Sequence, residues 1–181
     1  MATYLALLRG INVSGQKKIK MSELKVHFED LNLSHVRTYI QSGNVVFRDN
    51  IHYAENLVDL IRKKIQSVYG FDVAVMILNG GDLKKIIDKN PFLRDAEKES
   101  SFFHVTFLAE IPAAENIEKL KNIDHHPEQY ILEDKHIYFF APNGYGRAKM
   151  NNNFFENILK VPATTRNWNS VNHLFNMMNE D

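Results

Sequence analysis

Apolar residues along this chain alternate between short unbroken runs and helical stripes. Tyr4 to Leu8 is a continuous apolar run of strand length, the pattern of a strand buried on both faces. Met21, Leu24, Phe28 and Leu31 then repeat at helical spacing. From Val36 to Ile40 the period drops to two, with Val36, Thr38 and Ile40 on one side and Arg37, Tyr39 and Gln41 on the other. Ser42-Gly43 is a two-residue turn into Val45-Val46-Phe47, which predicts a hairpin. Leu57, Leu60, Ile61, Ile65 and Val68 mark a second amphipathic helix that Gly70 stops, and Val73 to Leu78 is a further strand. The first half therefore reads β-α-β-β-α-β.

The second half starts in the same way. Phe102 to Leu108 predicts a strand and Glu115 to Leu120 a helix after Pro112, while Tyr130-Ile131-Leu132 and Ile137 to Phe140 flank Glu133 to His136 as a hairpin. Phe154, Phe155, Ile158 and Leu159 make a short helix, with Asn153 and Glu156 spaced as a capping box. Trp168, Val171, Leu174, Phe175 and Met178 line one face of a last helix, for which Thr164 or Thr165 is the expected N-cap. This half reads β-α-β-β-α-α. Element order repeats while the letters do not, so the expected fold class is α+β, with tandem ferredoxin-like (βαββαβ) units and an extra C-terminal helix on the second. The expected domains are residues 1–90, with a connecting helix at Leu83, Ile86 and Ile87, and residues 102–181. Between them, residues 91–101 read as a linker, because Pro91 ends the preceding helix and the charged run Arg94 to Ser101 is poor in apolar residues.

Composition narrows the function classes. The 181 residues carry 22 basic and 22 acidic side chains, which argues against a polybasic nucleic-acid binder. The balance is uneven in space: residues 1–90 hold 13 basic against 9 acidic side chains, and residues 91–181 hold 9 against 13. Cysteine is absent, which excludes disulfides, thiolate metal sites and cysteine nucleophiles. No segment approaches the ~20 apolar residues that span a bilayer, and no export signal opens the chain, so a cytoplasmic location without membrane partners is expected.

Three polar clusters fall at element junctions, where fixed backbone can present side chains. The first is Arg9-Gly10-Ile11-Asn12-Val13-Ser14-Gly15, followed by Lys17, Lys18 and Lys20; glycines plus an arginine after a strand can cradle an anion. The second is the turn Gln41-Ser42-Gly43-Asn44. The third joins Arg147, Lys149 and Asn151 to Thr164-Thr165-Arg166-Asn167-Trp168, where a helix N-terminus with threonine hydroxyls and an arginine is expected to attract an anion. Other constellations fail. His125-His126 lacks partners at metal-ligand spacing, and no serine stands in a nucleophile-elbow context. Arg37, Tyr39 and Gln41 share a strand face of the kind that stacks single-stranded RNA, but the aromatic-rich motif of RNA-recognition domains is missing, so a protein-covered face is expected.

These clusters also carry a resemblance. Tyr4-Leu5-Ala6-Leu7-Leu8-Arg9-Gly10-Ile11-Asn12-Val13, Tyr39-Ile40-Gln41-Ser42-Gly43-Asn44-Val45-Val46-Phe47 and Ala163-Thr164-Thr165-Arg166-Asn167-Trp168-Asn169 resemble the signatures of a widespread, mainly bacterial family, domain of unknown function sixteen-ninety-seven. The resemblance runs over residues 3 to about 178. It implies duplicated ferredoxin-like units and brings no established activity. The family's characteristic polar residues would be Arg9, Asn12, Gly15, Gln41, Ser42, Asn44, Lys149, Thr164, Arg166, Asn167 and Trp168. The chain departs from the pattern at Ser14, where glycine is usual, and near His173, where a basic residue is favoured.

The resulting expectation is a binding module for a small phosphate- or carboxylate-bearing ligand at the junction of the two halves. Its ligand-binding residues would be Arg9, Asn12, Gly15, Gln41, Ser42, Asn44, Lys149, Thr164, Thr165, Arg166 and Asn167. One alternative is an enzyme acting on a phosphorylated metabolite or nucleotide, with Lys149 as general acid or electrostatic stabiliser; no carboxylate or histidine stands in these clusters for general-base work. A second is nucleic-acid binding through the lysine loop and the basic island around Arg147. A third makes the motifs staples that hold the halves together. No cofactor and no metal is expected, and the sequence leaves catalysis and oligomeric state open.

Overall fold

The computed structural model describes residues 1–180. Strands β1 (Ala2–Leu8), β2 (Ser34–Tyr39), β3 (Asn44–Asp49) and β4 (Val75–Asn79) alternate with helices α1 (Met21–Glu29), α2 (Ala54–Tyr69) and α3 (Gly80–Asp88). The chain continues through β5 (Phe103–Leu108), α4 (Ala114–Lys121), β6 (Gln129–Glu133), β7 (His136–Phe140), α5 (Asn152–Leu159), β8 (Ala163–Asn167) and α6 (Trp168–Asn179). This is a mixed α+β fold with two four-stranded antiparallel sheets, ordered β2-β3-β1-β4 and β6-β7-β5-β8. Two compact units divide it. One comprises Met1–Ile86 with His173–Asp181, the other Ile87–Asn172, so the division falls inside α3 and inside α6.

In the first unit β1 is central, paired to β3 and β4, and Leu5 to Leu8 are fully buried. Burial on both faces is what the unbroken apolar run demands. Ala6, Leu8, Val45 and Phe47 pack with Leu24 and Phe28 of α1 and Leu57, Ile61 and Ile65 of α2 in one core. Gly70 ends α2 in a left-handed cap, its N–H donating to the Gln66 carbonyl. The Arg37/Tyr39 side of β2 is partly covered by the end of α6. Tyr39 stacks on His173 at 4.1 Å between ring centroids, and Arg37 donates to the Met177 carbonyl and to Glu180.

In the second unit β5 is central and buried along its whole length. Its core holds Leu108, Ile137, Phe139, Phe155, Leu159 and Ala163. Three local expectations give way here. Thr164 and Thr165 are not a helix cap; they lie in β8, paired to Phe107 and Thr106. Threonine suits both roles, and the open edge of β5 requires a hydrogen-bonding partner that only a strand supplies. Asn167 caps α6 instead, its Oδ1 accepting from the Ser170 N–H at 2.8 Å. Asn153 and Glu156 form no capping box: Asn151 caps α5 by accepting from Phe154 N–H, and Glu156 Oε1 accepts from Ala163 N–H at 2.8 Å. The segment expected to be a linker, residues 91–101, forms two 3-10 turns at Pro91–Arg94 and Ser100–Phe102 and adds to the core through Phe92, which precedes the charged run. Phe92 is buried against Phe103 and Phe140, and Lys98 lies over the Phe92 and Phe140 rings.

Candidate functional site

Two of the three polar clusters come together in the first unit. After β1 the chain turns through left-handed residues at Gly10, Asn12, Ser14, Gly15 and Lys17. Val13 and Gln16 form an antiparallel bridge, so Ser14 and Gly15, at φ 50° and 76°, are the tip of a tight two-residue turn. Asn12 ties this loop down. Its Oδ1 accepts from Ile19 N–H at 2.9 Å, and its Nδ2 donates to the carbonyls of Ile19 at 2.8 Å and Gln41 at 2.9 Å. The last bond reaches the β2–β3 turn. There Asn44, fully buried, donates through Nδ2 to the Tyr39 carbonyl and to Ser42 Oγ.

Gly43 closes the corner. Its N–Cα torsion is left-handed at φ 77°, its carbonyl accepts from Leu8 N–H at 2.8 Å, and a Cβ there would stand 2.9 Å from Leu8 Cβ and from the Ile11 side chain. Only glycine allows this approach. Arg9 is half-buried, with its N–H donating to the Ala74 carbonyl. Gln41 is exposed, as are Lys18 and Lys20, the last within 3.3 Å of Glu23. Val13 and Ile40 are exposed apolar residues of the same loop and turn.

The third cluster belongs to the second unit and serves its sheet. Arg166 is 7% exposed in β8, donating through Nη1 to Thr164 Oγ1 at 2.7 Å and to the Thr165 carbonyl at 2.9 Å. Burial pushes its guanidinium down to about 10, against a smaller upward pull from Tyr145. Thr165 Oγ1 bonds Thr106 Oγ1 at 2.8 Å and donates to Asn152 Oδ1 at 3.1 Å. Asn152 N–H donates to Tyr145 Oη, and the Tyr145 ring stacks on His104 at 4.7 Å. Lys149 is exposed; its backbone N–H and that of Met150 both donate to the Glu128 carboxylate at 2.8 Å. Asn167 and Trp168 start α6, with Trp168 buried.

Sequence reading missed Glu128, Tyr145 and His104, which organise this network, and Arg48, whose Nη2 donates to the Glu180 carbonyl at 3.3 Å. None of them stands in a motif. Among the described residues no group of three or more His, Cys, Asp or Glu side chains is placed to hold a metal ion, and no helix is long and apolar enough to cross a membrane.

A family model described as "Protein of unknown function (DUF1697)" matches residues 1–138. The chain belongs to the DUF1697 family. The DUF1697 match contains the loop at residues 9–20 and the turn at 41–44 and ends before Lys149 and β8. Among solved structures, the conserved bacterial protein SP0830 from Streptococcus pneumoniae is similar at 24% identity and a TM-score of 0.72, covering 98% of each chain. That likeness shows a shared fold. None of the curated proteins matches.

Proposed function

We propose that this DUF1697 chain is a cytoplasmic binding module for a small phosphate- or carboxylate-bearing ligand, and that the loop-and-turn corner of its first unit takes that ligand. Arg9, Lys18 and Lys20 supply positive charge, Gly15 gives the loop its tight tip, and Asn12, Gln41, Ser42 and Asn44 hold the backbone in shape. The observation that carries this reading is a concentration of left-handed backbone. Gly10, Asn12, Ser14, Gly15, Lys17, Ile40 and Gly43 all have positive φ, and Ile40 is β-branched. Backbone of this kind persists only where surrounding bonds hold it, and it gathers at ligand clamps and active sites. The frame we propose for it is a pair of ferredoxin-like units, one built on each four-stranded sheet, a reading supported by the matching strand orders of the two sheets; the last turns of α6 fall with the first unit and not, as expected, with residues 102–181.

A thermal-shift panel of inorganic phosphate, nucleoside phosphates, dicarboxylates and a generic oligonucleotide tests the binding reading. A true ligand at 100 times its dissociation constant stabilises by about 2.7 kcal/mol. That shift is expected in the wild type and in Lys149→Ala; in the Arg9→Gln, Lys18→Ala double variant it is expected to weaken, and the amide shifts that the ligand causes at residues 9–20 are expected to disappear. A shift seen only with the oligonucleotide, and falling steeply with salt, would instead favour nucleic acid.

A further inference from the structure

A second cationic surface in the first unit lies outside the three polar clusters. A cleft of about 210 Å³ is lined by Lys25 and Glu29 of α1, His35, Val36 and Arg37 of β2, Arg48 of β3 and Glu180. Two arginines converge there on Glu180, just past α6. Arg37 Nη1 meets the Glu180 carboxylate at 2.8 Å, and its Nη2 donates to the Met177 and Glu180 carbonyls. Arg48 Nη2 donates to the Glu180 carbonyl at 3.3 Å. Lys25 lies 3.8 Å from Glu29. His35 is exposed, with a left-handed φ of 51°, where β2 breaks register between Ser34 and Arg37. Such bulges re-aim side chains beside functional surfaces.

The charge count favours an anion. Without Glu180 the lining holds Lys25, Arg37 and Arg48 against Glu29 alone, with His35 beside them. The Glu180 side chain keeps 60% of its exposure and the Arg37 side chain 34%, so their pair is an exposed contact that water and salt weaken. A guanidinium binds an oxyanion through two parallel N–H groups, and two arginines with a lysine suit a dianion better than a single carboxylate. We propose that this cleft is a binding site for a phosphate monoester, and that the Glu180 carboxylate stands in for it at Arg37 Nη1 until the phosphate displaces it, the main-chain carbonyls of Met177 and Glu180 keeping their bonds to the two arginines. The site is independent of the corner at residues 9–20.

Amide chemical-shift mapping of the whole chain during titration with inorganic phosphate tests this. Amides of residues 34–37, 48 and 177–180 are expected to move, with those of 9–20 unaffected by the same event. Removing the stand-in with Glu180→Ala is expected to tighten phosphate roughly fivefold, the gain from freeing a site that an exposed ion pair keeps closed. Glu180→Ala combined with Arg37→Gln is expected to abolish it, and Arg48→Gln serves in place of Arg37→Gln if that variant loses its native spectrum. Equal affinity with and without Glu180, shifts confined to other residues, or no shift at all would overturn the proposal.

Discussion

Gly43 and Gly70 have nearly the same left-handed torsion, yet they hold different amounts of structure. A methyl group at Gly70 meets nothing within 4 Å, whereas one at Gly43 collides with Leu8 and Ile11. Gly70→Ala is therefore expected to cost about 1 kcal/mol, the backbone penalty alone. Gly43→Ala is expected to cost at least about 2 kcal/mol, because strand β1 or the turn must also shift. Urea denaturation of the two variants side by side checks the difference. Asn12 makes three hydrogen bonds that no other side chain of its loop could replace. Asn12→Ala is expected to destabilise by about 1–3 kcal/mol and to release the Ile19 amide to hydrogen exchange.

Strand β8 shows what an element owes to its neighbours. Its residues, Ala163 to Asn167, have no apolar alternation and contain a buried arginine, yet all five pair with β5. The strand is pinned at its start by Glu156, whose carboxylate takes the Ala163 N–H, and at its end by the Asn167 cap on α6. Glu156→Ala is expected to lower stability by about 1–2 kcal/mol and to raise amide exchange at Ala163 well above that of Phe107. Arg166→Met keeps the volume but removes the bonds to Thr164 and Thr165. If the arginine serves the sheet, this variant folds less stably and leaves phosphate binding in the first unit unchanged.

The whole molecule carries a pH dependence that follows from burial. Burial lowers the values of His104 and His136; in His136 the nearby Glu133 and Asp134 pull partly the other way. Both are held neutral in the folded chain below the usual 6.5, so the unfolded chain takes up protons first as the pH drops. Their contribution is complete above about pH 6.5 and is lost progressively as the pH falls toward their folded values. Melting temperature is expected to be flat from pH 8 to 7 and to fall as the pH drops below about 6.5. His104→Phe preserves a ring against Tyr145 and is expected to flatten that fall. At lower pH a second loss is expected from Asp49. Burial raises its carboxyl, but the N–H groups of His52 and Ile51 outweigh that and hold it below the ordinary carboxylate value.

The chain alone determined the elements whose signal is local. β1, α1, the β2–β3 hairpin, α2, β5, α4 and the β6–β7 hairpin are legible because apolar period, glycine stops and turn residues act within a few positions. The pairing of the first two polar clusters was legible only as proximity of two strand ends. That Asn12 joins them through a carbonyl had no signal, since a backbone oxygen belongs to every residue. What the tertiary structure decided was non-local. β8 exists because β5 needs a partner along its open edge, the last turns of α6 join the first unit because Arg37, Arg48 and Tyr39 meet them there, and Phe92 becomes core beside Phe103 and Phe140. In each case a threonine, an arginine or an isolated phenylalanine fits several local roles equally well. The hydrogen bonds and buried area that select one of them come from residues far away in sequence.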